Sequence, residues 1–295
     1  MLPSFIITFR ETLEAALVVG IVLSYLARTK QTRFNRIVYS GVAFGVFVSV
    51  FAAVLFMRLA GGLTGRAEEI FEGVTMLLGA VLLTTMILWM LGQRHVAQEL
   101  ESRVAGEVAQ ARGLALFWLV AVGVLREGIE TVIFLGAASF ASPSNNLLGA
   151  LSGIAAAILL GYAMFAGTRR VNLKVFFNVS SILLILFAAG LVARGVHALQ
   201  EANLLPTAVE HVWDLNPAVN ADGSYPLLHE DGYLGGLFKS LFGYNGDPSL
   251  IEVVSYVAYL VVVFVVWRLR TGRSTHSSSQ SVTHNMAAGT TQIPH

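Results

Sequence analysis

Two short stretches hold the residue types best suited to chemistry. Residues 8 to 20 read TFRETLEAALVVG and set Arg10, Glu11 and Glu14 inside an apolar run. The pattern Arg-Glu-x-x-Glu recurs as Arg126, Glu127 and Glu130 within LFWLVAVGVLREGIETVIFLGAASF. On a helix, positions i and i+3 share a face with Cβ atoms roughly 5 to 6 Å apart, so Glu11 with Glu14, and Glu127 with Glu130, each converge on one point. Facing each other, the two claws offer four carboxylates against Arg10 and Arg126, a net formal charge of −2. Oxygen ligands select hard, highly charged cations, and such an ion offsets the cost of burying the carboxylates. The arginines limit carboxylate repulsion in the absence of the ion, and Arg10 with Glu14 is also an i,i+4 pair.

A bland reading treats the Arg-Glu pairs as helix-locking contacts. Thr8 and Glu11 also have capping-box spacing, which would put Glu11 at a frayed helix start. Capping explains neither Glu14 nor the second copy, which lies deep in its run with no Ser or Thr three residues before Glu127. Each ionised side chain at the centre of a membrane span costs roughly 2.5 to 3.5 kcal/mol, so such residues read as functional by default.

The elements that carry the claws follow from composition. The chain has 295 residues, 55% hydrophobic and 13% charged, where a soluble domain carries about 25% charge. That balance describes an all-α integral membrane protein. Apolar runs place seven transmembrane helices at about 3–26, 37–59, 69–92, 114–140, 147–168, 175–199 and 250–270. The first span lacks a basic leader region and is expected to be retained rather than cleaved. There are no cysteines, which excludes disulfides, thiolate catalysis and soft thiolate metal sites. Net charge is +1 with the basic residues dispersed, so nucleic-acid binding is not expected.

The basic residues set an orientation. Arg28, Lys30, Arg33 and Arg36 lie in the first connection, and Arg94, Arg103 and Arg112 in the third. Arg169, Arg170 and Lys174 lie in the fifth, and Arg268, Arg270 and Arg273 begin the tail. These 13 fall on one side of seven alternating spans, against Arg58, Arg66 and Lys239 on the other. The positive-inside rule then expects an outside N-terminus and a cytoplasmic C-terminus, in a multi-pass protein of the cytoplasmic membrane. The 200–249 loop would face outside and is acidic; residues 271–295, rich in Ser, Thr, Gln and His, are expected to form a disordered cytoplasmic tail. Spans one and four then run in opposite directions while carrying the same motif. Three helices followed by three more make a 3+3 inverted repeat, repeat one about 3–92 and repeat two about 114–199, with the seventh helix added outside it. That symmetry commonly places a transport site at the midplane between repeats.

At these residues the sequence resembles the oxidase-dependent iron permease family, whose bacterial members are the EfeU-type ferric iron permeases. The resemblance runs from Met1 to about Arg270 and rests on RETLE at 10–14, REGIE at 126–130, EEIFEG at 68–73 and FGYNGDPSLIEVVSYVAYL at 242–260. It implies that iron is oxidised outside by a partner, an extracytoplasmic oxidase or iron-delivery protein, and passes inward as ferric ion. It makes Glu11, Glu14, Glu127 and Glu130 the ligands, with Arg10 and Arg126 as motif members. No other cofactor is implied.

Other residues have weaker claims. Glu68, Glu69 and Glu72 cluster at i, i+1 and i+4 near the start of span three, as an outer waiting site or as acids favoured by a helix N-terminus. Ser249 and Glu252 fit a capping box opening span seven; the family resemblance adds a role for Glu252 in iron access. His197 and Glu201, at i,i+4, are further candidates there. Gly41 with Gly45 and Gly149 with Gly153 read as close-packing pairs, and Trp89, Trp118 and Trp267 as interfacial anchors. A di-iron enzyme would need paired Glu-x-x-His motifs, and none occurs. A permease for another cation, such as lead or manganese, and a scaffold that recruits an oxidase without moving ions stay open as alternatives. No phosphate-binding Gly-x-x-x-x-Gly-Lys-Ser/Thr loop is present, so ATP is not expected to drive the chain directly.

Overall fold

The computed structural model describes residues 1–90, 102, 104–106, 113–141, 146–165, 173–206, 209, 211–220 and 224–288, with backbone alone at 165, 173–174 and 270–288. Arg94, Arg103, Arg112, Arg169, Arg170, Glu210 and Asp222 lie outside the described residues. Eight α-helices are described: α1 Leu2–Arg28, α2 Asn35–Ala60, α3 Arg66–Met90, α4 Gly113–Ala141, α5 Asn146–Phe165, α6 Leu173–Glu201, α7 Tyr233–Phe242 and α8 Leu250–Ala288. The described residues include no strand.

Among the described residues, five segments are long and apolar enough to cross a membrane: Thr32–Ala60, Arg66–Met90, Asn146–Met164, Val175–Glu201 and Leu250–Leu269. The protein is thus a multi-pass membrane protein. The other two expected spans, α1 and α4, are equally long at 27 and 29 residues, but each holds three charges close together. The motifs themselves interrupt the apolar run in those two helices. Along α2 the side chains Phe47, Val50, Phe51, Val54 and Leu55 are exposed, as suits a helix whose surroundings are hydrocarbon rather than water.

Three features of the helices bear on the sequence reading. Helix α1 starts at Leu2, with Pro3 in its first turn, so Glu11 is not at a helix start. Thr8 is no cap either: its hydroxyl donates to the Ser4 carbonyl at 2.8 Å and lies 2.9 Å from the Ala150 carbonyl of α5. Second, helical backbone continues α8 through 271–288, a segment with no proline and with Gly272 as its only glycine. Third, the 200–249 loop contains α7, whose Leu234, Leu237, Phe238 and Leu241 recur at helical spacing. It closes on Gly243 in the left-handed conformation, φ 69°, where backbone meets the backbone of Gly190 in α6 so closely that neither position has room for a Cβ.

The helices pair off. The most extensive interfaces are α1 with α5, α2 with α4 and α3 with α6; α8 packs on α6. A central core joins Ile7 of α1 to Met76, Leu83 and Ile87 of α3, Phe134 and Ala137 of α4, and Phe187 and Leu191 of α6. In α2, Gly41 and Gly45 let the helix approach the carbonyls of Phe117 and Ala121 in α4. In α5, Gly149 and Gly153 do the same against the carbonyls of Met1, which caps α1, and Phe5 within it. Phe117 and Ala121 each stand 116 residues after Met1 and Phe5, the same separation as Arg126 from Arg10.

Candidate metal site

Helices α1 and α4 lie against each other and bring the two motifs together. Carboxylate oxygens of Glu11, Glu14 and Glu127 all lie within 4.8 Å of one another. Glu11 is 1% exposed, and neither of its oxygens has a hydrogen-bond partner. One oxygen each of Glu127 and Glu130, both Oε2, is likewise buried and unpartnered. Unmet polar atoms of this kind cost about 1 to 3 kcal/mol each, and more when charged. A cation held among these oxygens would relieve that cost.

The arginines are arranged unequally. Arg10 is fully buried, with Nε 3.1 Å from Glu14 Oε1 in a contact too poorly aligned to be a hydrogen bond. Arg126 is half exposed, at 54% of its side chain, and its Nε donates to Glu130 Oε1 at 2.8 Å. Glu130 is not one of the trio of Glu11, Glu14 and Glu127. The end of α3 touches both guanidiniums: Arg10 Nη2 lies 2.8 Å from Met90 Sδ, and Arg126 Cζ stands 5.6 Å from the centre of the Trp89 ring. Trp89, which the sequence offered only as an interfacial anchor, is therefore part of the motif surroundings. Its position next to the motif gave no sequence signal, because 37 residues separate it from Arg126.

The middle residue of the second motif has its own steric role. A side-chain carbon on Gly128 would overlap the Cβ and Oγ of Ser49 in α2, so the small residue lets α2 close over the motif. The first motif has Thr12 at this position.

The remaining candidates lie elsewhere. Glu68 and Glu69 are in the first turn of α3, and both, with Glu201 of α6, act electrostatically on Glu72. Glu252 forms the expected capping box: the Ser249 amide donates to Glu252 Oε1 at 3.0 Å and the Glu252 amide to Ser249 Oγ at 3.3 Å. His197 Nδ1 also stands 2.9 Å from Glu252 Oε1, Asn245 donates to Oε2 at 3.0 Å, and His197 Nε2 lies 3.5 Å from Glu201. Glu252 is thus 2% exposed with both oxygens engaged, on the wall of a cavity of about 380 Å³ that Trp213, Tyr244 and Tyr256 also line. Arg194 of α6 was passed over in the sequence. Its Nε is buried without a partner, within electrostatic reach of Glu230, Glu252 and Asp231. Its signal was plain: a lone charge inside an apolar span.

Comparison with known proteins places this geometry in a family. The Iron permease FTR1 family matches residues 1–275. The chain is 33% identical over 274 residues to a protein of Shigella sonnei named ferrous iron permease EfeU, covering 91% of this chain and 96% of the relative. It is 32% identical, with the same coverage, to an Escherichia coli K12 protein named putative inactive ferrous iron permease EfeU. An uncharacterised protein of Archaeoglobus fulgidus is 34% identical over 276 residues, 93% of this chain and 97% of the relative. No solved structure matches. A family match over nearly the whole length, in a multi-pass helical chain with a buried carboxylate trio, means that this protein belongs to the Iron permease FTR1 family and is a transporter, not an enzyme.

Proposed function

We propose that the protein moves iron across the cytoplasmic membrane into the cell by way of the two Arg-Glu-x-x-Glu motifs, with Glu11, Glu14, Glu127 and Glu130 as the ligands in transit. The observation that carries the reading is the convergence of Glu11, Glu14 and Glu127 oxygens within 4.8 Å, two of them from one helix and one from the other. Three carboxylates with unpartnered oxygens are a poor structural brace, since a brace would satisfy its own charges. Glu130, hydrogen-bonded to Arg126, is the ligand that joins when its arginine lets go.

The chain is read as seven spans, six of them a 3+3 inverted repeat and the seventh, α8, outside it. The matched interfaces support this: α2 seats its glycines on α4 carbonyls and α5 seats its glycines on α1 carbonyls, at positions offset by the motif spacing. The N-terminus is outside and the 200–249 loop faces an extracytoplasmic oxidase or iron-delivery protein. Glu68, Glu69, Glu72, Glu201, His197 and Glu252 lie on the access route.

Ferric ion is the species favoured at the site, because four hard oxygen donors suit the higher charge. A second reading has ferrous ion permeating, and the names of the relatives favour it. The test is iron flux per molecule in proteoliposomes supplied with ferrous or ferric iron, alongside membrane abundance and melting temperature in detergent. Glu127→Gln alone is expected to abolish flux. Arg126→Met with Glu130→Gln is expected to insert and fold, since a pair whose arginine is half exposed contributes little to stability, yet to transport nothing. Wild-type flux from the stable double variant would sink the four-glutamate site.

A further inference from the structure

Each motif arginine is tied to its own glutamate, Arg10 to Glu14 and Arg126 to Glu130, at i,i+4. A cation arriving among the carboxylates competes with those arginines and repels them. Each guanidinium therefore needs somewhere to go that is not another carboxylate, for a second carboxylate would hold it or compete for the ion. The last two described residues of α3 meet that need from outside the motifs. Trp89 presents a ring 5.6 Å from Arg126 Cζ, and Met90 a thioether sulfur 2.8 Å from Arg10 Nη2. An aromatic face attracts a guanidinium and a thioether accepts weakly from it, and both are uncharged. Two adjacent residues thus touch one arginine from each motif.

We propose that Trp89 and Met90 are positioning residues of the permeation site, a neutral resting place for the two guanidiniums that sets how readily Glu14 and Glu130 turn from arginine to iron. The inference rests on the motifs being the transport site. An aliphatic residue at position 90 leaves the sealed Arg10 guanidinium only its glutamate, and one at position 89 takes from Arg126 its aromatic face. Iron must then displace it against a stronger hold, so the apparent affinity falls while the amount of folded protein does not.

The experiment is concentration-dependent iron uptake in proteoliposomes by wild type, Trp89→Leu, Trp89→Phe, Met90→Leu and Glu127→Gln, with melting temperatures in detergent. Trp89→Leu is expected to raise KM about 3- to 10-fold, in the range of a cation–π contact, and Trp89→Phe to stay within about 2-fold of wild type. Met90→Leu, which conserves volume, is expected to raise KM with an unchanged melting temperature and keeps the test open if Trp89→Leu fails to fold. In an Arg126→Gln background that still transports, Trp89→Leu should add no further change, because the group it acts through is gone. Unchanged KM in Met90→Leu and in folded Trp89→Leu overturns the proposal, as does a Trp89→Phe variant no better than Trp89→Leu. If Glu127→Gln keeps wild-type flux, the transport site itself is wrong, an outcome distinct from failure of the resting place.

Discussion

Partial burial of Glu230 would push its carboxyl upward, but the Lys239 ammonium at 3.0 Å and the Gly246 amide at 3.1 Å donate to it and hold it below the ordinary carboxylate value of 4.5. A depressed folded-state value means that the charged form is the one the fold favours. Its stabilisation is fully present above about pH 4.5 and is lost as pH falls through the lower folded-state value. Melting temperature in detergent is therefore expected to drop on acidification below 4.5, and less steeply in Glu230→Gln; parallel curves for the two proteins would refute the assignment. Lys239 also reaches Asp231 at 3.0 Å, so one ammonium gathers two loop carboxylates. Residues of this kind are only half legible in a sequence. The i,i+3 spacing of Glu11 with Glu14 survives folding unchanged because a helix fixes it locally. The contacts of Trp89 and Arg194 depend on which helices become neighbours, and no local period encodes that.

At the level of helices, α2 over α4 offers the sharpest steric test. Gly128→Ala puts a methyl against Ser49 and is expected to destabilise by about 1 to 3 kcal/mol, the usual cost of overpacking. Adding Ser49→Gly should recover part of that loss in melting temperature, and a double variant no more stable than Gly128→Ala would show the contact to be unimportant. Helix extents were the most readable part of the fold. A run such as 37–59 needs only length and apolar character to be recognised, and α2 extends from Asn35 to Ala60. Helix α7 escaped because Glu230, Asp231 and Asp247 around it dominate the loop's composition, while its own apolar face spans ten residues. The continuation of α8 to Ala288 runs through a Ser-, Thr- and His-rich stretch of weak helix propensity, a composition that gives no helix signal in the sequence.

For the whole molecule, orientation is the first matter to test, and a chain without cysteine makes the test direct. Single cysteines at Ser224 and Thr29 are expected to react with an impermeant maleimide from opposite sides of intact cells, Ser224 at once and Thr29 only after permeabilisation. The reverse pattern would invert the topology. The unequal burial of Arg10 and Arg126 then acquires a meaning beyond either residue. On the proposed inverted repeat, the same arginine is sealed in one half and open in the other, so the two halves differ in conformation within one structure. If each half takes up the shape of the other, Arg10 opens and Arg126 is sealed. On that proposal, the asymmetry of a single conformation outlines a counterpart in which the two exposures are exchanged.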